Sequence, residues 1–210
     1  MVAGLDEAGR GPVLGPMVIC GIVLDTETFE DLERENVRDS KVIPPDRRQE
    51  LKAFLEGEAE QIEIVEFEPE EIDELRNEGT NLNKIEAIGF ARILDCLDFE
   101  KALLDSASRN PDSFSGEVKR LMGMEKELIV EHEADKNHLP VSAASIVAKV
   151  RRDRRIEELK REYGEMGSGY PSDGKTISFL EEWVEGHQNL PVFARKTWKT
   201  AQRIKEEVLS

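Results

Sequence analysis

The sequence predicts an α/β protein in which helices cover a sheet of five strands. Three observations carry that expectation. Five short apolar runs punctuate the chain, longer stretches with helical periodicity lie between them, and no repeat, low-complexity segment or disordered linker breaks the alternation. At 210 residues the chain buries an ample core without disulfide or metal staples, as one large domain or a domain with a small appendage.

Residues 2–6 and 17–24 are apolar runs separated by Gly-Pro punctuation, which predicts two neighbouring strands joined through a glycine-rich turn. A helix is expected over residues 45–56. Residues 61–67 alternate Ile62, Ile64 and Phe67 against glutamates, with a slip at Val65, as in an edge strand. Residues 69–77 read as a short helix and 82–97 as a longer one, with Ile85, Ile88, Gly89, Ile93 and Cys96 at its apolar positions. Ala102-Leu103-Leu104-Asp105 is a buried strand ending in a carboxylate. Residues 127–133 are another, centred on Leu128, Ile129 and Val130, with Asp135 just beyond. A long helix starts near Pro140, whose lost N–H is harmless in a first turn, and runs to Tyr163. Residues 164–174 are loop, 175–185 a helix, and 194–209 a terminal helix. In that last helix Trp198, Ala201, Ile204 and Val208 form one stripe, with Lys196, Lys199 and Arg203 opposite.

The formal charge of −16 argues against a phosphate-rich partner until its distribution is considered. Residues 56–78 hold eleven acidic side chains and one basic, Arg76, so most of the excess sits in one stretch. Basic residues crowd two others: Lys149, Arg151, Arg152, Arg154, Arg155, Lys160 and Arg161, then Arg195, Lys196, Lys199, Arg203 and Lys205. Charges more than roughly 8 Å apart are screened at physiological salt, so either a substrate-facing basic surface or a pair of solvated helix faces fits. Cys20 and Cys96 lack a second thiol or histidine at zinc-site spacing and read as buried free thiols of a reducing compartment. No stretch approaches the ~20 apolar residues that cross a bilayer, and no signal-peptide pattern opens the chain, so a soluble cytoplasmic protein without membrane contact is expected.

The chemistry concentrates at Asp6-Glu7-Ala8-Gly9-Arg10-Gly11-Pro12. A dinucleotide fingerprint needs a third glycine where Leu14 stands and a helix opening where Pro12 and Pro16 stand, so that reading fails. Carboxylates supply the hard oxygens that Mg²⁺ prefers, and glycines let backbone approach a ligand. Three apolar strands finish on acid, at Asp6-Glu7, Asp105 and Asp135, and acids at strand ends of an α/β sheet can converge. Four such groups could hold two divalent ions for in-line displacement at phosphorus. Adjacent strand residues point to opposite faces, so Asp6 and Glu7 share a site only if the strand ends or bulges there. Ordinary turn acids are the alternative. His132 reads as a ligand, a base or a partly buried strand residue, and His138 and His187 as exposed. No Gly-x-Ser-x-Gly elbow or reactive-cysteine setting supports nucleophilic catalysis.

Four segments in order, residues 6–12, Asp39-Ser40-Lys41, residues 141–149 (VSAASIVAK) and residues 168–173 (SGYPSD), resemble the signature segments of type 2 ribonuclease H, ribonuclease HII, of the archaeal kind. The resemblance implies a ribonuclease H-like mixed five-stranded sheet flanked by helices, with a catalytic domain at residues 1–165 and a C-terminal helical substrate-binding portion at 166–210. It implies a metal-dependent endoribonuclease that hydrolyses RNA in RNA–DNA hybrids. Cleavage would include the bond 5′ of single ribonucleotides embedded in duplex DNA and would leave 3′-hydroxyl and 5′-phosphate. By the same resemblance Asp6, Glu7, Asp105 and Asp135 are catalytic ligands of Mg²⁺ or Mn²⁺. Gly9, Arg10 and Gly11 read the ribose 2′-hydroxyl through their backbone, Tyr170 packs on the neighbouring deoxyribose and bonds that hydroxyl, and Lys41 and Lys149 contact phosphates.

These roles have a physical sense, since the 2′-hydroxyl alone separates RNA from DNA and both donates and accepts. A loop tyrosine closing the core and a solvated helix lysine are the plainer alternatives for Tyr170 and Lys149. The implied partners are the hybrid and the ribonucleotide-containing duplex, acted on by a monomer. A sliding clamp is a further partner to consider, although the extreme C-terminus shows no clear clamp-docking peptide. A resolvase-like nuclease and a non-catalytic hybrid-binding module are the rival readings.

Overall fold

The computed structural model describes residues 1–37, 43–123 and 125–210. They divide into two compact units: Met1–Ala8, Val18–Val65 and Leu82–Arg151 form the first, and Gly9–Met17, Glu66–Asn81 and Arg152–Ser210 the second.

The first unit is built on a mixed sheet of β1 (Val2–Ala8), β2 (Met17–Leu24), β3 (Gln61–Phe67), β4 (Lys101–Asp105) and β5 (Glu127–Glu131), in the order β3-β2-β1-β4-β5. β1 runs antiparallel to β2 and parallel to β4, and β4 parallel to β5. The sequence pattern follows from place in the sheet. All eight residues of β2 are buried, as a strand covered on both faces requires, whereas β3 stands at an edge with Glu63 exposed and Glu66 half-buried.

The helices are α1 (Phe29–Arg34), α2 (Pro45–Glu58), α3 (Pro69–Asn77), α4 (Leu82–Leu94), α5 (Pro111–Leu121), α6 (Ala134–Asn137), α7 (Leu139–Tyr163), α8 (Gly174–His187) and α9 (Lys199–Leu209). Prolines open α2, α3 and α5 in the first turn, where no N–H is missed. Ala143, Ala144 and Val147 of α7 pack on Val18, Cys20 and Ile22 of β2 in one cluster. Gly4 shows how close α7 comes: a Cβ there would lie 2.0 Å from the carbonyl carbon of Pro140. Only a residue without a side chain lets the two backbones meet.

In the second unit Val13, Leu14, Leu180, Val184, Phe193 and Ile204 share a separate core. Asp173 caps α8 by accepting from the N–H of Lys175 (3.0 Å) and also holds the N–H of Ser168 (2.7 Å). These bonds hold its carboxyl below the usual aspartate range.

Several expectations need correction. β1 does not end or bulge at Asp6 but continues in unbroken register to Ala8. α4 stops at Leu94, which leaves Cys96 exposed, while Cys20 is buried as expected. α5 and the one-turn α6 were not foreseen, and β5 stops at Glu131 because Glu133 adopts a left-handed conformation (φ 54°). His132 therefore lies past the strand, exposed, with Nδ1 2.7 Å from the Ser106 carbonyl oxygen. His138 is half-buried on Glu131 (2.9 Å). The terminal helix begins at Lys199, not Ala194, because Trp198 is extended (ψ 134°).

The basic segments are only partly open surface, with Lys196, Lys199 and Arg203 exposed. Arg155 pairs with Glu66 (2.9 Å) and Glu68 (2.7 Å) of the acidic stretch, Arg154 with Glu158 (3.0 Å), and Lys160 with Glu157 (2.9 Å), while Arg152 and Arg195 are buried. Among the described residues no helix is long and apolar enough to cross a membrane.

Candidate active site

The parallel pairing of β1 with β4 ends at Leu5 and Leu104, so Asp6 and Asp105 come next along the same register. β1 runs on past its partner. Glu7 thereby stands where no neighbouring strand separates it from the β4 side, and a long side chain can reach what strand alternation would deny it. One carboxylate oxygen each from Asp6, Glu7 and Asp105 lies within 4.8 Å of the others. Asp6 is nearly fully buried and curls back to accept from the N–H of Glu7 (2.7 Å). Asp105 accepts from the N–H of Ala134 (2.8 Å) at the start of α6. Asp135 follows it, also buried, but is not one of the three clustered carboxylates.

Burial raises the Asp6 pKa well above the usual aspartate value, and the charges of Glu7 and Asp105 raise it further. A hydrogen bond from Ser145 and the charge of Lys149 oppose them. Ser145 and Lys149 stand one turn apart on α7, with Lys149 Nζ 2.5 Å from Ser145 Oγ. Lys149 is thus turned toward the carboxylates and is not a solvated helix lysine. Three hard oxygen donors that repel one another suit a divalent cation, which removes the penalty of their shared charge.

That penalty has a measurable sign. A carboxyl whose pKa is raised by folding takes up its proton more readily in the folded state, so stability falls as pH rises from the ordinary aspartate range through the raised value. In EDTA, the wild-type protein should lose melting temperature relative to Asp6→Asn as pH rises above the ordinary aspartate range, and a divalent cation should narrow the gap. Thermal melts of both proteins at several pH values check this; a gap independent of pH would contradict it.

In the second unit, Gly9 has φ +82°, and a Cβ there would meet the Pro16 carbonyl oxygen at 2.7 Å. The Gly-Arg-Gly loop needs glycine at that place. Tyr170 is 39% exposed and so does not close a core. Its ring lies 5.0 Å from the Arg152 guanidinium carbon, and a Cβ on Gly11 would touch it at 3.8 Å. Arg152 donates to the Ser168 carbonyl (2.5 Å), and Gly169 accepts from the N–H groups of Val13 (2.8 Å) and Leu14 (3.2 Å). The tyrosine therefore stands beside the 9–11 loop on a tightly bonded turn.

A family model described as Ribonuclease HII matches residues 3–201. The chain belongs to the ribonuclease HII family. Ribonuclease HII of Thermococcus onnurineus is 46% identical over 209 residues, covering 99% of this chain and 91% of that protein. The crystal structure of ribonuclease H2 from Pyrococcus horikoshii superposes with a TM-score of 0.93 at 42% identity, covering 100% of this chain and 99% of that one. A PCNA:RNase HII complex from Archaeoglobus fulgidus gives 0.88 at 37%, covering 97% and 96%. The ribonuclease H-like sheet, its flanking helices and the C-terminal helices match the expected fold.

As a ribonuclease HII the chain is a metal-dependent endoribonuclease acting on RNA in RNA–DNA hybrids, and its acidic cluster can take a divalent metal. Of the residues singled out from the sequence, Asp6, Glu7 and Asp105 come together, Lys149 approaches them through Ser145, and Gly9, Arg10, Gly11 and Tyr170 gather in the second unit. Lys41 lies outside the described residues. Ser145, Arg152, Arg195 and Trp198 went unassigned. Ser145 carried a signal, since it sits four residues before Lys149 in a quoted segment, whereas Arg195 looked like any surface base.

Proposed function

We propose that this chain hydrolyses the phosphodiester bond 5′ of ribonucleotides embedded in duplex DNA as well as RNA in longer hybrids, with Mg²⁺ or Mn²⁺ held by Asp6, Glu7, Asp105 and Asp135. The clustered oxygens of Asp6, Glu7 and Asp105 are the observation that carries it. Asp6, Glu7, Asp105 and Asp135 would hold two divalent cations, which would supply activation of the attacking water and charge stabilisation of the departing 3′-oxygen. Water adds to phosphorus, the P–O3′ bond breaks, and the products are a 3′-hydroxyl and a 5′-phosphate. The inclusion of Asp135 is supported by its burial and by its place next to Ala134, whose N–H is bonded to Asp105. Lys149 holds Ser145 against Asp6 and neutralises part of the local negative charge, which favours approach of a phosphate.

Specificity falls to the backbone of Gly9, Arg10 and Gly11, which reads the 2′-hydroxyl, and to the exposed ring of Tyr170, which packs on the adjoining sugar. Lys41 contacts the phosphate backbone, and residues 166–210 serve substrate binding. The Archaeoglobus fulgidus relative in complex with PCNA supports a sliding clamp as a partner of this chain. We place its action as a monomer in the cytoplasm, in replication and ribonucleotide excision.

The test is a DNA duplex carrying one ribonucleotide, incubated with Mg²⁺, with Mn²⁺ or with EDTA beside an all-DNA control. Cutting on the 5′ side of the ribonucleotide, only with cation and not in the control, is expected. Cation-independent cutting, or equal cutting of the control, would overturn the reading.

A further inference from the structure

Arg195 is the largest fully buried side chain among the described residues, and its guanidinium hydrogen bonds go to three backbone carbonyls. Nη2 donates to Gly9 O (2.5 Å), Nη1 to Arg10 O (2.9 Å) and Nε to Gly15 O (3.1 Å). Trp198 Nε1 adds a bond to Gly11 O (3.2 Å). Three consecutive loop carbonyls thus each accept from a side chain of one four-residue segment, Gly9 O and Arg10 O in the interior and Gly11 O at the surface. In a trans peptide the N–H of the next residue points opposite to the carbonyl. Pro12 has no N–H, so the donors that point opposite to these carbonyls are those of Arg10 and Gly11.

The brace is itself held. Arg195 N–H donates to Val13 O (2.8 Å), and Gly15 N–H to Phe193 O (2.9 Å). Asp73, buried on α3, accepts from the N–H groups of Lys196 (2.7 Å) and Thr197 (2.9 Å) and from Thr197 Oγ1 (2.6 Å). The Trp198 ring is flanked by the guanidinium carbons of Arg195 at 4.9 Å and Arg76 at 5.2 Å. Burial and the nearby Arg152 charge push the Arg195 pKa down to about 9, which leaves it protonated at neutral pH. A planar fork of fixed donors can serve three carbonyls at once, which a lysine ammonium on a flexible stem cannot reproduce.

We propose that Arg195 and Trp198 are positioning residues that set ribose recognition by fixing the carbonyls of Gly9, Arg10 and Gly11 and so presenting the Arg10 and Gly11 N–H groups to the 2′-hydroxyl. The proposal rests on the reading of residues 9–11 as the ribose sensor.

Trp198→Phe keeps the ring and deletes one donor, and Arg195→Lys keeps the charge and deletes the fork. Each would be assayed under single turnover on two duplexes that differ at one nucleotide, 2′-hydroxyl or 2′-fluoro, with melting temperature recorded in parallel. The ratio of hydroxyl to fluoro cleavage should fall about tenfold in Trp198→Phe, the worth of one hydrogen bond, and further in Arg195→Lys. A merely structural role lowers both rates together and leaves the ratio unmoved. An unchanged ratio in folded Trp198→Phe would overturn the proposal even if Arg195→Lys fails to fold. Absence of any hydroxyl preference in the wild-type protein would instead overturn the ribose-sensor reading on which it rests.

Discussion

Asp6→Asn and Asp105→Asn should each cut hybrid cleavage by on the order of 10³-fold while the protein remains folded. Each substitution replaces an anionic oxygen donor by a neutral amide in a set whose oxygens lie within 4.8 Å of one another. Loss of several kcal/mol of charge stabilisation corresponds to that factor, because each ~1.4 kcal/mol is tenfold in rate. The fold should survive for different reasons at the two positions. An asparagine at 105 can still accept the Ala134 N–H through its carbonyl oxygen, so the entry to α6 keeps its anchor. An asparagine at 6 removes a buried carboxyl that the site makes costly to ionise, so the metal-free protein should melt no lower than wild type. Circular dichroism and melting curves separate loss of chemistry from loss of structure. Near-normal turnover in both variants would remove the metal proposal. Asp135→Asn is the sharper probe of ligand number: a comparable loss assigns it to the set, and a small one leaves three ligands.

Tyr170→Ala should lower cleavage at a single embedded ribonucleotide by about 10–100-fold while changing affinity for an all-DNA duplex by less than about threefold. The ring is exposed, so its removal opens no cavity in the core of the second unit. The turn that carries it is held by Arg152 on Ser168 O and by Gly169 O on Val13 and Leu14, none of which involves the phenol ring. What disappears is an apolar face with a polar tip beside Gly11. Sugar packing and hydroxyl reading matter most when one ribonucleotide must be found in DNA, and least for nonspecific phosphate contacts. Tyr170→Phe divides the loss between ring and hydroxyl. Equal losses in single-ribonucleotide cleavage and in all-DNA binding would count against the role.

Most of the sheet was legible because its strands differ so much from what surrounds them. β2 is apolar at nearly every position and proved buried throughout, and β3 alternates and proved an edge. α5 escaped notice although it carries clear local signs, an Asn110 cap on the Ser113 N–H (3.0 Å) and Pro111 in the first turn. Its polar composition hid the Phe114 and Val118 pair that it buries. The terminal helix was read five residues too long because the apolar stripe extends back to Trp198, which packs on the same core from an extended segment. Periodicity reports what is buried, and an extended residue can be buried at the same place as a helical one.

From its sequence alone the protein takes an α/β sheet with acids at the strand ends, a glycine-bracketed arginine and a family membership written in four ordered segments, because strand apolarity and glycine spacing are local properties. Only the tertiary structure decided that Glu7 reaches the side of Asp6 and Asp105 without a bulge, that Arg155 is spent on Glu66 and Glu68 while Arg152 is buried, and that Arg195 lies inside holding three carbonyls. The physical reason is that a charged side chain is priced by its surroundings: the same guanidinium is a solvated base on a helix face and a rigid three-way donor once folding removes its water.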